Sequence, residues 1–421
     1  MLRKVLQLAA GVAAVLSIAA CSEKLDAGAS CPLLCPEQAI SLRDTTIDAV
    51  EVDTTINGIP PIGSENYLML ASHGDTLETR AIVRFDTLPQ QFTDNSADST
   101  ITHVDSAFLL TPIVVPDSAH RLAAPFTIEA YDVDTAATDT VSSILGSLFR
   151  PDRFLGSRTF QPDSLKDTLQ VPLNADSVKF RVDSGTKLRV GLRIVSAAGV
   201  DLQIGTTTNG QPVTLKMYVS KDSTATQPTV TPLSNTPKDE PFLAGPLADY
   251  TIVLKGNTLT PATLLAVGGV PSRRSYLRFN VPSRIVDSTT IVRASLLLTQ
   301  VPNRRVDPTD SVFVYPLAVL AQPTVTNVQN LLQFLGSTGQ FGLDSLSLAP
   351  GDSGQRSFEI VGLVRTWRNQ TTTVSPRAIA LRSGGEGSVP GEIDFFSTRA
   401  PAAVRPRLRI TYVPQTSYGL P

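Results

Sequence analysis

The chain has 421 residues, of which 42% are hydrophobic and 18% charged, and its formal net charge is −2 at pH 7. This length predicts two or three domains. The near balance of 36 basic and 38 acidic residues argues against the clustered positive charge of nucleic-acid-binding proteins, so we expect no nucleic-acid partner.

The N-terminus has the pattern of an export signal that ends at a cysteine. Arg3 and Lys4 precede the apolar run VLQLAAGVAAVLSIAA, which is too short for a membrane-spanning helix. The run ends in Ile-Ala-Ala-Cys, which resembles the lipobox of bacterial lipoproteins. This resemblance implies a signal peptide at residues 1–20 and lipidation of Cys21; an ordinary secretory signal is the alternative. The mature chain would then attach to a membrane through its lipid.

Residues 21–43 are expected to form a tether between the lipid and the first domain. Cys31 and Cys35 lie in the sequence CPLLC, and outside the cytoplasm such a pair tends to form a disulfide. A metal or redox site is the alternative, although the chain has only three histidines to complete a metal site. Ser22 after the cysteine favours, by resemblance to enteric lipoproteins, the outer membrane of a Gram-negative bacterium.

From about residue 44, short runs of β-branched and apolar residues alternate with turns rich in Asp, Ser, Thr, Pro and Gly. Several runs have a period of two, which predicts half-buried strands. Helices are predicted at residues 138–149 and 324–336, and a change from strand to helix at residues 359–369. Residues 221–244 are rich in Ser, Thr and Pro and are expected to form an extended linker.

One phrase occurs in both halves of the chain, as TRAIVRFDTLP at residues 79–89 and RRSYLRFNVPS at residues 273–283. Six blocks recur in the same order at offsets of about 185–194 residues. A period this long indicates duplicated domains rather than a solenoid of short units. We therefore predict tandem domains at residues 44–220 and 245–414, followed by a tail at residues 415–421.

The fold class predicted from these patterns is all-β, with two tandem jelly-roll-like β-sandwiches and few short helices. The repeated Arg-Phe pair has a structural interpretation in this fold. Phe85 and Phe279 are expected to point into the cores, while Arg84 and Arg278 face solvent or pair with an acidic neighbour.

The second copy carries RRSYLRFNVP, VRASLLLTQV, FEIVGLVRTWRN and EIDFFSTRAPAAVRPRLRITYV in that order. This order resembles DNRLRE domains over residues 245–414; Asn280 stands where the family usually has Asp. The first copy is similar mainly through the repeat. The resemblance implies a jelly-roll-like sandwich of bacterial and archaeal surface proteins, with Trp367 in the core and no catalytic residues to transfer. Related modules bind acidic polysaccharides such as alginate.

The sequence lacks the motifs of several enzyme classes. It has no phosphate-binding loop, no H-E-x-x-H and no G-x-S-x-G, so we expect no enzyme, although scattered carboxylates leave a glycosidase pair open. The glycine-rich GGEGSVPG, residues 384–391, is predicted to be a loop. No cofactor is expected; VDPTDS, residues 306–311, is a candidate for structural calcium, with solvated turns as the alternative.

Arg405, Arg407 and Arg409 are the candidate glycan contacts. Residues two apart share one face of a strand, so these arginines would form a cationic stripe able to take carboxylates. The alternative is a solvated face of an edge strand, whose charges prevent aggregation.

These observations lead to three functional hypotheses. The first is a non-enzymatic, lipid-anchored protein of the cell envelope with a structural or adhesive role. The alternative is a polysaccharide-binding surface lipoprotein, in which the second copy binds the glycan and the first serves as a spacer. A glycoside hydrolase or lyase is the third.

Overall fold

Antiparallel strands make up most of the structure, which confirms the predicted all-β class. The computed structural model describes residues 42–94, 97–116, 122–136, 140–222, 225–235, 247–256, 259–319, 344–368 and 377–414. The described residues from Asp44 onwards form one compact unit. The predicted signal peptide and tail, Cys21, Cys31, Cys35 and the predicted helix at 324–336 lie outside the described residues.

The strands of the first half are mostly five to ten residues long, as the alternating sequence predicts. They are β1 Arg43–Ile47, β2 Val50–Ile59, β3 Tyr67–His73, β4 Leu77–Phe85, β5 Gln91–Asp94, β6 Ala97–Thr100, β7 Ser106–Pro112, β8 Phe126–Asp132, β9 Phe154–Phe160, β10 Thr168–Leu173, β11 Leu188–Ser196, β12 Val200–Gly205, β13 Thr214–Tyr218 and β14 Thr229–Val230.

The strands of the second half follow a similar order. They are β15 Asp249–Lys255, β16 Leu264–Gly268, β17 Ser272–Phe279, β18 Thr289–Val301, β19 Val312–Val319, β20 Leu346–Leu348, β21 Gly354–Glu359, β22 Ala378–Ser383, β23 Glu392–Phe396 and β24 Arg407–Pro414. Four short α-helices occur in the described residues, α1 Ser142–Gly146, α2 Ala175–Ser184, α3 Ser283–Val286 and α4 Val361–Thr366.

Two sheets enclose the core of the N-terminal sandwich. One has the order β12-β3-β4-β11-β8-β9 with β15 also paired to β4, and the other has the order β10-β7-β13-β14. Strand β7 alternates strictly, with Ala107, Leu109 and Thr111 buried between partly exposed neighbours. This period of two puts one face of the strand in the core and the other toward solvent.

The C-terminal sandwich is built from eleven hydrogen-bonded strands. Their order is β1-β24-β18-β23-β16-β17-β22-β19-β20, with β2 also paired to β17 and β21 to β18. The inward residues of β16, β17, β18, β22, β23 and β24 form one continuous apolar core. Both halves are therefore jelly-roll-like sandwiches.

The repeated phenylalanines lie at the centres of the two cores, as predicted. Phe85 and Phe279 have no exposed surface, and Trp367 is 3% exposed. The rings of Phe279 and Trp367 pack with centroids 5.1 Å apart. Trp367 is therefore a core residue.

The repeated arginines form ion pairs, which was one of the two predicted outcomes. Arg84 is only 1% exposed, and its Nη2 lies 3.2 Å from Oδ2 of Asp86. Arg278 Nε lies 3.4 Å from Oε2 of Glu51 on β2. The buried guanidinium of Arg84 needs such a partner, because desolvation of an isolated charge is costly.

The strands at the start of each copy, β1 and β2 in the first and β15 in the second, pair with the sheet of the other copy. Strand β2 precedes β4 in the first copy but lies antiparallel to β17 of the second. Strand β15 precedes β17 in the second copy but lies antiparallel to β4 of the first. We call this arrangement the strand exchange. The predicted boundaries assigned β2 to the first domain and β15 to the second, whereas the pairing places each in the opposite sandwich.

The connection between β2 and β3 gives a physical reason for the strand exchange. Only the seven residues 60–66 separate the end of β2 from the start of β3, and they begin with Pro60 and Pro61. Proline fixes its own φ and restricts the residue before it, which stiffens this connection. A stiff, short connection opposes folding β2 back beside β4, whose edge β15 occupies instead.

The linker and the helices differ in part from the predictions. Residues 225–235 of the predicted linker pack on the N-terminal sandwich, where β14 pairs with β13 and Leu233 bridges to Phe85. Helix α1 lies within the predicted 138–149, and α4 follows β21 as predicted. Helix α2 was missed, although Asn174 caps its N-terminus by accepting the Ser177 N–H at 2.8 Å.

Candidate functional site

Two equivalent polar clamps hold the exchanged strands in place. Asp53 on β2 accepts hydrogen bonds from the backbone N–H of Thr398 at 2.6 Å and from its Oγ1 at 2.9 Å. Asp249 on β15 accepts the same pair from Thr207, at 2.7 and 2.9 Å. Each carboxylate thus fixes an exchanged strand to a turn of the opposite copy.

A second pair of contacts repeats in the same way. Two residues after each aspartate, a threonine hydroxyl accepts a backbone N–H: Thr55 Oγ1 from Ala266, and Thr251 Oγ1 from Met69, both at 3.1 Å. The exchanged strands share the sequence D-x-T-I, as Asp-Thr-Thr-Ile in β2 and Asp-Tyr-Thr-Ile in β15. The sequence contains this signal, although the repeat blocks described above did not include it.

The glycine-rich loop at residues 384–391 also joins the sandwiches. It is a loop, as predicted, and its Ser388 Oγ donates to the Tyr67 carbonyl at 3.0 Å. Gln203 of the N-terminal sandwich donates through Nε2 to the Ser388 carbonyl at 2.8 Å. Gly387 has a φ of +74°, and a Cβ there would lie 2.8 Å from Cδ of Pro60. Glycine is therefore required where this loop contacts the connection after β2.

Glu65 lies in that connection and is buried, with 6% of its surface exposed. Its carboxyl accepts backbone N–H groups, including that of Thr251, and its Oε2 accepts no hydrogen bond from the described residues. Burial raises the pKa of Glu65 to about 7, the N–H donors oppose the rise, and the charge of Asp249 adds to it. The junction therefore contains a carboxyl that titrates near neutral pH.

A cleft of about 240 Å³ opens at the same junction. The N-terminal sandwich contributes residues 75–77, and the C-terminal sandwich contributes residues 269–271, Arg273, Arg305 and Glu392. The cleft thus has apolar walls and both signs of charge.

Glu392 forms part of the cleft wall and is held by two partners. Arg273 Nη1 donates to its Oε2 at 2.5 Å, and Asn303 Nδ2 donates to its Oε1 at 3.2 Å. Burial raises the pKa of Glu392, and the charge of Arg273 opposes the rise. Asp394 lies two residues further along the same strand. Burial and the charge of Glu392 raise the pKa of Asp394 to about 7.

This pair of carboxyls does not have the arrangement expected of a glycosidase. Glu392 and Asp394 are two residues apart on β23 and so lie on one face of the strand, and Asp394 does not line the cleft. A glycosidase needs its two carboxyls on either side of the bond that it cleaves. The other cleft carboxylate, Asp75, is fully exposed and lies 3.5 Å from Lys255 Nζ.

Two of the three candidate glycan arginines share one face of β24. Arg407 and Arg409 are partly or largely exposed on either side of the buried Leu408, as the spacing predicts. Arg405 precedes the strand, and its Nε donates to the Ala400 carbonyl at 2.6 Å. Because β24 lies between β1 and β18, it is not an edge strand, so the alternative interpretation as an edge face is wrong.

The two arginines on the strand already have acidic partners. Arg407 Nε lies 3.1 Å from Oδ1 of Asp48, and Arg409 Nε lies 3.0 Å from Oδ2 of Asp44. The hydrogen bond from Arg409 lowers the pKa of Asp44, and the same bond raises that of Arg409. An acidic glycan would have to compete with these aspartates for the guanidinium groups.

The candidate calcium segment forms a turn. Asp307 Oδ1 accepts the backbone N–H of Thr309 at 2.8 Å and its hydroxyl at 2.6 Å, which is the turn-capping role of Asp. Within the described ranges, no three His, Cys, Asp or Glu side chains are grouped so that they could hold a metal ion. No helix in those ranges is long and apolar enough to span a bilayer.

Comparison with known proteins adds little. No family model matches the chain, and no match was found among curated proteins. The match to the structure of the Gt strain of infectious bursal disease virus covers 91% of this chain and 78% of the viral chain, with 11% identity and a TM-score of 0.12. The match to the VP2 subviral particle of this virus covers 90% of this chain and 78% of the VP2 chain, with 9% identity and a TM-score of 0.12. TM-scores this low support no conclusion about fold or function, and the resemblance to DNRLRE domains stays a prediction.

Proposed function

We propose that this chain is a non-enzymatic, lipid-anchored structural protein of the cell envelope, in which two DNRLRE-like sandwiches act as one rigid, load-bearing unit. The strand exchange is the observation that carries this proposal. Separating the sandwiches requires both β2 and β15 to leave their sheets, and each is fixed by an aspartate clamp. Two sandwiches joined only by a linker would move independently.

The position of the exchanged strand supports the same role. The tether is expected to run from a lipid on Cys21 to β1, and both β1 and β2 pair with strands of the C-terminal sandwich. Tension on the anchor would therefore act first on the sandwich that is farther along the chain, and would reach the N-terminal sandwich through the junction. Such a path distributes load over both sandwiches.

Pulling the mature protein from its two ends in a single-molecule experiment tests the load-bearing role. Because β1 and β24 are neighbours in one sandwich, we expect the first rupture to release β1 and β2 and Asp53→Ala to lower its force, whereas Asp249→Ala should lower the force of the later rupture that opens the N-terminal sandwich. Arg150→Ala, which removes a solvent-exposed pair with Asp152, is the control. Ruptures whose forces the clamp variants do not change would contradict the proposal.

Metabolic labelling with a palmitate analogue tests the anchor separately. Wild-type protein is expected to carry the label and to sediment with membranes, and Cys21→Ala to lose both properties. If Cys21→Ala retained the label, the lipid would be attached elsewhere.

Glycan capture remains the second candidate, because the junction cleft and the β24 face both present guanidinium groups. Binding of the full mature chain to neutral and acidic polysaccharides at two salt concentrations tests it. Salt-sensitive binding to uronic-acid polymers that is lost in the triple variant Arg405→Ala, Arg407→Ala, Arg409→Ala would support capture. If the variant bound as well as the wild type, the β24 face would not be the site.

A further inference from the structure

The edge of β17 that pairs with β2, here called the acceptor edge, receives a strand with particular features. Seven residue pairs align β2 with β17, from Ile59 opposite Ser272 to Val50 opposite Phe279. Ile56 and Ile59 are buried, and Asp53 and Thr55 make the clamp contacts. The acceptor edge therefore fits a strand that carries D-x-T-I.

The sequence D-x-T-I also occurs in β1, at residues 44–47, and at the end of β6, at residues 98–101, but β1 pairs with β24 and β6 with β5, and among the described strands only β2 and β15 make the clamp contacts. Strand β15 makes the same contacts on the edge of β4, where Asp249 and Thr251 occupy the positions of Asp53 and Thr55. If β2 leaves its place, the edge of β4 cannot take it, because β15 occupies that edge. A released β2 can then pair only with an acceptor edge, either that of its own chain or that of a second copy.

Strand β2 also has the connections that intermolecular exchange requires. Its C-terminal end joins the N-terminal sandwich through residues 60–66, which include Pro60 and Pro61. Short, stiff connections favour exchange of a strand between copies because they prevent the strand from returning to its own domain. The partner already lies outside the sandwich to which β2 is connected, so an exchange between chains preserves the pairing of β2 with β17. Strand β1, which precedes β2 and pairs with β24, would cross together with it.

We propose that β2 is an exchangeable strand through which one copy of this chain binds a second copy, by occupying the acceptor edge of that copy. Reciprocal exchange closes a two-fold dimer, and one-way exchange extends a chain of molecules. The proposal concerns assembly and does not depend on the envelope location or on the load-bearing role.

Single-cysteine variants test the proposal directly. Thr55 and Ser275 are opposite each other in the register, so Thr55→Cys in one chain and Ser275→Cys in another can form a disulfide only if β2 crosses between chains. Cys21, Cys31 and Cys35 are replaced by Ser in both. The two proteins are mixed, incubated just below the unfolding midpoint in urea, returned to buffer and oxidised. We expect a disulfide-linked dimer after incubation and only monomer without it.

The control pairs Ser275→Cys with Thr54→Cys, whose side chain points to the opposite face of β2. A chain with both Thr55→Cys and Ser275→Cys verifies that the internal disulfide forms. Adding Asp53→Ala to the Thr55→Cys chain removes both clamp hydrogen bonds and should speed exchange at least about tenfold.

Two results would overturn the proposal. One is the absence of a mixed dimer while the double-cysteine chain closes its internal disulfide. The other, which needs no substitution, comes from light scattering of the mature wild-type protein after the same incubation at high concentration. Dimers that persist after dilution are expected, and monomers alone would refute exchange between chains.

Discussion

Replacing Glu65 by Gln should change how stability depends on pH. Glutamine keeps the oxygen that accepts the backbone N–H groups and removes the titrating proton, so Glu65→Gln imitates the protonated carboxyl. In the unfolded chain this carboxyl has a pKa of 4.5, and in the folded protein burial raises it to about 7. Folded protein therefore holds a proton that the unfolded chain releases between these values.

The size of the effect follows from these two pKa values. Because each pKa unit corresponds to about 1.4 kcal/mol, the ionised carboxyl destabilises the folded protein above pH 7 by about 3 kcal/mol. This penalty is absent below pH 4.5, grows as the pH rises toward 7, and is constant above that. The free energy of unfolding of the wild type should fall across this window by that amount relative to Glu65→Gln.

Urea unfolding at half-unit steps from pH 4 to 8.5 measures this difference. Subtracting the wild-type curve from that of Glu65→Gln cancels the other titrating groups, including Asp394. The control is Glu51→Gln, which changes a half-exposed glutamate on β2. A constant difference between wild type and Glu65→Gln across the window would refute the argument, because the carboxyl would then be equally ionised in both states.

Three further predictions concern stability. Asp249→Ala should lower the free energy of unfolding by about 2 kcal/mol or more, because Thr207 loses two hydrogen bonds to a charged acceptor, and Asp249→Asn should recover part of it in urea titrations. Phe279→Ala should lower the free energy of unfolding by about 3–5 kcal/mol, because it leaves a cavity beside Trp367. Circular dichroism in the near ultraviolet checks this: the tryptophan signal should be lost before the whole protein unfolds. Arg409→Ala should leave the melting temperature unchanged, because its pair with Asp44 is exposed to solvent; a clear decrease would show that the pair stabilises the fold.

The sequence predicts the elements of this fold better than their partners. Periodicity identifies most strands, and the repeated Arg-Phe pair identifies Phe85 and Phe279 as core residues, because both signals are local. The partner of β2 depends instead on the stiffness of residues 60–66 and on competition with β15, and neither has a periodic signature. The repeated D-x-T-I does not identify the two strands by itself, because residues 44–47 and 98–101 carry it as well; their equivalence follows from the clamp contacts of Asp53 and Asp249.

The candidate site was less predictable, because burial of a carboxyl depends on distant parts of the chain. Glu65 follows a turn-like sequence and resembles a solvated loop residue, yet β15 and the loop at residues 384–391 cover it. Glu392 and Asp394 are similar, because their neighbours Arg273 and Arg305 are far away in the sequence. In contrast, the common face of Arg407 and Arg409 could be predicted, because the two-residue spacing along a strand alone determines it.

The strand exchange also determines the order in which the protein can fold during its synthesis. The N-terminal sandwich lacks the strand on the edge of β4 until residues 249–255 have been made, and β2 waits for residues 272–279. The clamp between Asp53 and Thr398 joins residues 345 positions apart, so it forms only when the chain is nearly complete. An early domain that folds and protects its strand edges while the rest is still being made is thus excluded. The growing chain carries the open edge of β4 until β15 has been made, and the unpaired strands β1 and β2 for more than half of its length, so we expect it to depend on factors that hold unfolded chains.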